Sequence, residues 1–264
     1  MINKLILEYF KCFEKLQLPL SNLTLLSGVN SSGKSSILQA LVLLNQTILD
    51  NEWSQSINLN GSILSLGTVG DVIDTSSSRY STSIGIETNE YRYVWKLSNK
   101  DRLAYYIPFE KIHFINFKQN IEKEWSVKGT DKTIHKLIPR IFKIEQSQID
   151  QFNRLTYISS DRIAPQETYK AYTLDKYSTV GSKGEYTPWF LLEYGGKEVN
   201  EILRIPNETF TLQRQAEAYL NDFFPDSGFS VKRISNMNFH WKGSTRKFLN
   251  LKMLWILFIV LKTK

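Results

Sequence analysis

The sequence predicts an α/β fold, and three observations carry that prediction. Leu23-Thr24-Leu25-Leu26 is a short apolar run ending near Gly28, as a buried parallel strand does. Ile37, Leu38, Ala40, Leu41, Val42, Leu43 and Leu44 follow a glycine-rich loop and have the length and composition of a long helix. From residue 54 to residue 97 the texture turns β-branched and aromatic with Ser, Asn and Gly punctuation, which adds an antiparallel β-region to the strand, loop and helix.

The chain has 264 residues, 42% hydrophobic, 22% charged and 13% aromatic, enough for one large domain or two small ones with a real core. That composition excludes disordered, collagen-like and coiled-coil chains. A formal charge of +7, from 33 Lys and Arg against 26 Asp and Glu, favours an anionic partner: nucleotide, nucleic acid or phospholipid. Cys12 stands alone, and His113, His135 and His240 lack ligand spacing, so neither a disulfide framework nor a zinc site is expected. Lys4 and Glu8 interrupt the apolar N-terminus, which therefore does not read as a secretory signal, and the chain is expected to be cytoplasmic.

Along the chain, residues 3–28 read as two strands around a turn, Leu5-Ile6-Leu7 and then residues 10–18, with the 23–26 run after them. Ser83-Ile84-Gly85-Ile86-Glu87 and Tyr91-Arg92-Tyr93-Val94-Trp95-Lys96 predict a hairpin around Thr88-Asn89-Glu90. Residues 103–150 pass from lysine-rich strands or loops to an expected helix over 131–149. Arg154-Leu155-Thr156-Tyr157-Ile158 reads as a core strand, and residues 159–179 as a polar loop. Leu212, Ala216, Tyr219, Leu220 and Phe223 recur at spacings that give an amphipathic helix ended by Pro225, and residues 228–241 return to strand-like alternation.

Gly28-Val29-Asn30-Ser31-Ser32-Gly33-Lys34-Ser35-Ser36 fits the phosphate-binding pattern G-x-x-x-x-G-K-S between the expected strand and helix. The glycines let the backbone curl so that successive amides point at phosphate oxygens, and the helix N-terminus adds its positive dipole end. Lys34 would reach the β- and γ-phosphates, and the Ser35 hydroxyl would coordinate Mg²⁺. The bland alternative is a chance glycine-rich turn before a helix.

The segment Gly-Val-Asn-Ser-Ser-Gly-Lys-Ser-Ser-Ile-Leu-Gln-Ala-Leu resembles the Walker A region of bacterial RecF-like and SMC-like AAA ATPases. These form the branch of ABC-type P-loop ATPases that includes OLD-type and many phage-defence proteins. The opening strand pair is similar too, and the family places a basic and aromatic turn, here Tyr9-Phe10-Lys11-Cys12-Phe13, near the nucleotide. Lys11 would then contact a phosphate; its alternative is a solvated surface lysine. Leu66-Gly67-Thr68-Val69-Gly70-Asp71, Tyr157-Ile158-Ser159-Ser160-Asp161-Arg162 and Val180-Gly181-Ser182-Lys183-Gly184-Glu185 resemble further family segments, in order, over residues 1 to about 250.

The resemblance implies ATP and Mg²⁺ as ligands, with Gly28, Asn30, Gly33 and Lys34 on the phosphates, Ser35 on the metal and Ser36 near the α-phosphate. It also implies an ATP-driven switch that dimerises head to tail and acts on DNA or a partner effector. Hydrolysis in such enzymes needs a strand-borne Asp, an adjacent Glu and a signature serine. No apolar run followed by Asp-Glu occurs; Trp189-Phe190-Leu191-Leu192-Glu193 comes nearest and reads as helical core packing. The family's signature and Walker B strand fall after the position of Asn250, where this sequence has an apolar tail, so truncation and weak or absent hydrolysis are expected. Codons for Trp255-Ile256-Leu257-Phe258-Ile259 read one base later can spell Gly-Phe-x-Leu-Ser, similar to the signature, which makes a frameshift near Asn250 one origin for the tail. The tail's eight continuous apolar residues, 254–261, fall short of the ~20 that span a bilayer, so no membrane span is expected.

The expected organisation is a nucleotide-binding lobe over 1–97, an inserted α/β accessory subdomain over 98–210, a return to the ATPase core over 211–250 and the tail over 251–264. Two other functions stand beside the ATPase. In a non-catalytic nucleic-acid module, Lys96, Lys100, Arg102, Lys111, Lys118 and Lys123 would neutralise phosphates while Tyr105, Tyr106, Phe109, Phe114 and Phe117 stack on bases. The same interleaving also suits strands with a buried aromatic face and a solvated lysine face. The third possibility is an inactive remnant.

Overall fold

The computed structural model describes residues 1–74, 79–127, 134–142, 155–161, 163, 166, 168–170, 180–206, 208–226, 228–235 and 238–243. It divides into two compact units, residues 1–155 and 156–264. Residue 97 lies within the strand Tyr91–Ser98, where Leu97 pairs with Phe109 of the neighbouring strand, so both sides of that position belong to the first unit.

The first unit opens with the predicted strand pair, β1 (Ile2–Phe10) and β2 (Phe13–Pro19). Helix α1 (Lys34–Asp50) and strand β3 (Ser56–Asn58) follow. A meander then runs through β4 (Ser81–Thr88), β5 (Tyr91–Ser98), β6 (Tyr106–Asn116) and β7 (Ile121–Ser126). The sheet order is β2-β1-β4-β5-β6-β3, with β7 also on β6, and every pairing is antiparallel. The hairpin expected around Thr88-Asn89-Glu90 is β4–β5.

Period-two patterning explains which face is buried. On β5, Tyr93, Trp95 and Leu97 point inward while Arg92, Val94 and Lys96 point away. Leu5 and Leu7 of β1 add fully buried side chains. Against this face α1 lays Ile37, Ala40, Leu43, Leu44 and Ile48, the spacing of one helical stripe. Each of the Leu and Ile side chains contributes roughly 1.5–3 kcal/mol of burial. Tyr93 stacks on Trp95 with ring centroids 5.8 Å apart and leans on Phe114 at 4.9 Å.

Four expectations are corrected. Residues 23–26 form no strand: Leu23 and Leu25 are 86% and 88% exposed, and only Leu26 packs partly on the core. The ladder edges of β1 are both taken, by β2 and β4, and among the described residues no strand pairs with this run. The helix expected over 131–149 is, in its described part, a small hairpin of β8 (Ile134–His135) and β9 (Ile138–Pro139) and a 3₁₀ turn, Arg140–Phe142. Lys136 and Leu137 take left-handed backbone at its turn (φ 48° and 68°). The geometry is set by tertiary ties, since Lys136 N–H donates to the Glu52 carbonyl at 2.6 Å and Trp95 Nε1 donates to the Leu137 carbonyl at 2.8 Å.

Leu155-Thr156-Tyr157-Ile158 is likewise no strand, for its backbone has no ladder partner among the described residues. The polar loop expected over 159–179 contains β10 (Thr168–Lys170), which pairs with β12 (Asn238–Gly243) and in turn β11 (Phe229–Ser235). The tail of residues 251–264 lies outside the described residues.

In the second unit, α2 (Thr187–Tyr194) and α3 (Leu212–Phe223) appear where the sequence placed helices. Leu191, Leu212, Ala216 and Leu220 join Tyr169 and Phe229 in one apolar cluster. The buried Gln215 binds its surroundings through both ends of its amide, accepting from Ile205 N–H at 2.6 Å and donating to the Thr209 carbonyl at 3.1 Å. No helix among the described residues is long and apolar enough to cross a membrane.

Candidate functional site

The loop of residues 28–33 leads directly into α1, with Gly33 as the residue before the first helical turn. Gly33 has φ +90°, and a Cβ there would sit 2.5 Å from Phe13 Cζ and 2.6 Å from Cys12 Sγ. Glycine is therefore required twice, for left-handed backbone and for space. Ser31 is also left-handed at φ 64°, and a Cβ on Gly28 would meet Ser32 Oγ at 3.0 Å. Val29, Asn30, Ser31, Ser32 and Ser35 are exposed, while Lys34 and Ser36 are half-buried.

The first turn of α1 has no side-chain cap and no acidic residue. An α-helix leaves its first four amides without intrahelical partners, so those of Gly33, Lys34, Ser35 and Ser36 present a cluster of donors at the positive end of the helix dipole. Lys34 Nζ curls over the loop, donating to the carbonyls of Gly28 at 2.8 Å and Val29 at 2.6 Å. A lysine ammonium, aligned amides and a serine hydroxyl thus meet at one helix end, the groups that suit a polyphosphate and its Mg²⁺.

The turn between β1 and β2 lies directly beside this loop. Tyr9 and Lys11 are both left-handed there (φ 52° and 51°), and Cys12 and Phe13 are the two residues that crowd Gly33. Lys11 is not the solvated lysine of the alternative reading: it is half-buried, and its Nζ donates to Gln39 Oε1 on α1 at 2.9 Å. Burial holds the Lys11 ammonium below its usual pKa, with the charge of Asp71 pulling the other way.

Residues 66–71 form a tight turn ending in a 3₁₀ element, Val69–Asp71. The Asp71 carboxylate accepts from the Thr68 amide at 2.7 Å and its hydroxyl at 2.8 Å, which holds the carboxyl below the usual range. The resemblance set the turn of residues 9–13 near the nucleotide, but neither the role of Gln39 nor the crowding of Gly33 by Cys12 and Phe13 was legible in the sequence.

The segment 180–185 is a second glycine turn, with Gly181 and Gly184 at φ 84° and 90°. Lys183 N–H donates to Glu185 at 2.8 Å, and Lys183 Nζ pairs with Asp161 at 2.7 Å. Within the Trp189–Glu193 run, Trp189 and Leu191 of α2 are buried as core packing, while Leu192 and Glu193 are exposed.

The basic and aromatic residues of the nucleic-acid reading do not assemble into one binding face. Lys96 pairs with Glu110 at 2.7 Å, Lys111 with Glu124 at 2.8 Å, and Lys118 with Glu90. Arg102 donates to the carbonyls of Ile73 and Arg79. Phe109 and Phe114 are buried in the core, while Tyr105, Tyr106 and Phe117 are exposed. The sheet has the buried aromatic face and solvated lysine face of the simpler reading, with acids interleaved among the lysines.

A family model described as an AAA ATPase domain matches residues 1–243. The chain belongs to this family of ATP-binding P-loop ATPases. No curated protein matches the sequence.

Proposed function

We propose that this chain binds MgATP on the loop of residues 28–36 and serves as the nucleotide-binding lobe of an ATP-driven switch. The observation that carries the reading is an uncapped helix start at Gly33 with the Lys34 ammonium folded over the same loop. Gly28, Asn30, Gly33 and Lys34, with the amides of residues 33–36, would hold the phosphates, with Ser35 on the metal and Ser36 near the α-phosphate. Bound Mg²⁺ would supply charge neutralisation to the phosphates.

Hydrolysis by this chain alone is expected to be very weak, because its sequence contains no apolar run followed by Asp-Glu to hold the metal and orient water. The RecF-like and ABC-type resemblance supports a switch that works as a head-to-tail dimer on DNA or a partner effector. The test is titration of a fluorescent ATP analogue with Mg²⁺. Saturable binding by the wild type that is lost in Lys34→Ala supports the reading, and equal binding by both removes it. Multiple-turnover hydrolysis abolished by Lys34→Ala would overturn the expectation of weak turnover.

A further inference from the structure

The turn that crowds Gly33 is held from its other side by the segment that follows α1 and β3. Lys11 N–H donates to the Val72 carbonyl at 2.7 Å, Asp74 N–H donates to the Tyr9 carbonyl at 3.1 Å, and Phe10 and Ile73 form a β-bridge. That segment is tied in turn to the loop between β5 and β6, through Val69 N–H to the Ala104 carbonyl at 2.9 Å and Gly70 N–H to the Arg102 carbonyl at 3.0 Å. Val69, Val72 and Ile73 are each 1% exposed, so the backbone between them has little room to shift.

The shape of this support depends on one carboxylate. Asp71 closes a capping box with Thr68, its Oδ2 taking both Thr68 donors. Gly67, at φ +87°, makes room for it: a Cβ there would lie 2.5 Å from Asp71 Oδ2. Two non-glycine residues in left-handed backbone, Tyr9 and Lys11, persist only when their surroundings over-determine them. The surroundings here are the backbone of residues 72–74 on one side and Gly33 and Gln39 on the other.

We propose that Asp71 is a positioning residue for the phosphate loop: by closing the Thr68 box it fixes the backbone of residues 72–74, which presses the turn of Lys11, Cys12 and Phe13 against Gly33. The carboxylate acts through the turn and touches no phosphate. This inference rests on the nucleotide reading of the loop, but its mechanical part does not.

Two measurements on the full chain test it. Asp71→Ala is expected to weaken binding of the fluorescent ATP analogue about tenfold, while Asp71→Asn and Thr68→Ser, which keep an acceptor and a hydroxyl, stay within about threefold of wild type. The Lys11 amide, which donates to the Val72 carbonyl, reports on the turn without nucleotide, and its hydrogen exchange is expected to be several-fold faster in Asp71→Ala and unchanged in Asp71→Asn. Equal exchange rates of this amide in Asp71→Ala and wild type overturn the proposal, as does equal weakening of binding by the Ala and Asn variants. If the wild type binds no analogue, the nucleotide reading fails and the exchange rates alone decide whether Asp71 holds the turn.

Discussion

At the scale of single residues the site splits into a part that local sequence announces and a part that it hides. Gly28, Gly33, Lys34 and Ser35 are legible because their spacing encodes the chemistry directly: curl, cation and hydroxyl within eight positions. The packing of Cys12 and Phe13 on Gly33 joins positions some twenty residues apart through a turn of two left-handed, non-glycine residues, and no side-chain pattern marks such a turn. Gly33→Ala should therefore be severe. It meets both a left-handed φ and two side chains closer than van der Waals contact. The expected outcome is loss of analogue binding together with about 1–2 kcal/mol of stability, read by titration and by urea unfolding.

At the scale of elements, amphipathic segments were readable and partnerless ones were not. Helices α1 and α3 and the β4–β5 hairpin carry their period in their own residues. Residues 23–26 carry an apolar run as well, but strandhood needs a ladder edge, and those of β1 are taken. Where period and packing agree, truncation should cost accordingly: Leu44→Ala on α1, at 0% exposure, is expected to lose about 3 kcal/mol by chemical denaturation. The β1–β4–β5 seam adds a pH-dependent element. Glu87 sits between Lys4, at 3.1 Å, and Arg92, at 2.5 Å. Burial would raise its pKa, but the hydrogen bonds from Arg92 and Lys4 outweigh burial and leave the carboxyl below its ordinary value of 4.5. Because the folded value is the lower one, the contribution is complete above 4.5 and fades as pH falls through the folded value. Glu87→Gln should lower the melting temperature by about 2 °C at pH 7, with the difference shrinking as the pH falls below 4.5 and through the folded value.

At the scale of the whole molecule, the division after Leu155 left no mark in the sequence. No glycine- or proline-rich linker stands there, and Arg154-Leu155-Thr156-Tyr157-Ile158 has the composition of a strand. Each unit nevertheless has its own apolar cluster, and the phosphate loop, the β1–β2 turn and the Asp71 support all belong to the first. A fragment of residues 1–155 is accordingly expected to fold and to bind the ATP analogue within about threefold of the full chain. Circular dichroism and the same titration check both parts, and a folded fragment that fails to bind would place an essential group in the second unit.

The pairing of β1 with β4 has a consequence for the order in which the molecule forms. Strands β4 to β7 are each paired with their sequence neighbour, whereas β1 meets β4 in the register Leu5↔Ile86 only after β2, the phosphate loop, α1 and β3 have been enclosed between them. Closing that span costs more entropy than closing the hairpins, so the meander is expected to nucleate first and the β1 hairpin to dock late. The phosphate loop then becomes ordered after the rate-limiting barrier. Bound nucleotide should leave the refolding arm of a chevron plot in place and lower the unfolding arm, lengthening the life of the native state without hastening its birth.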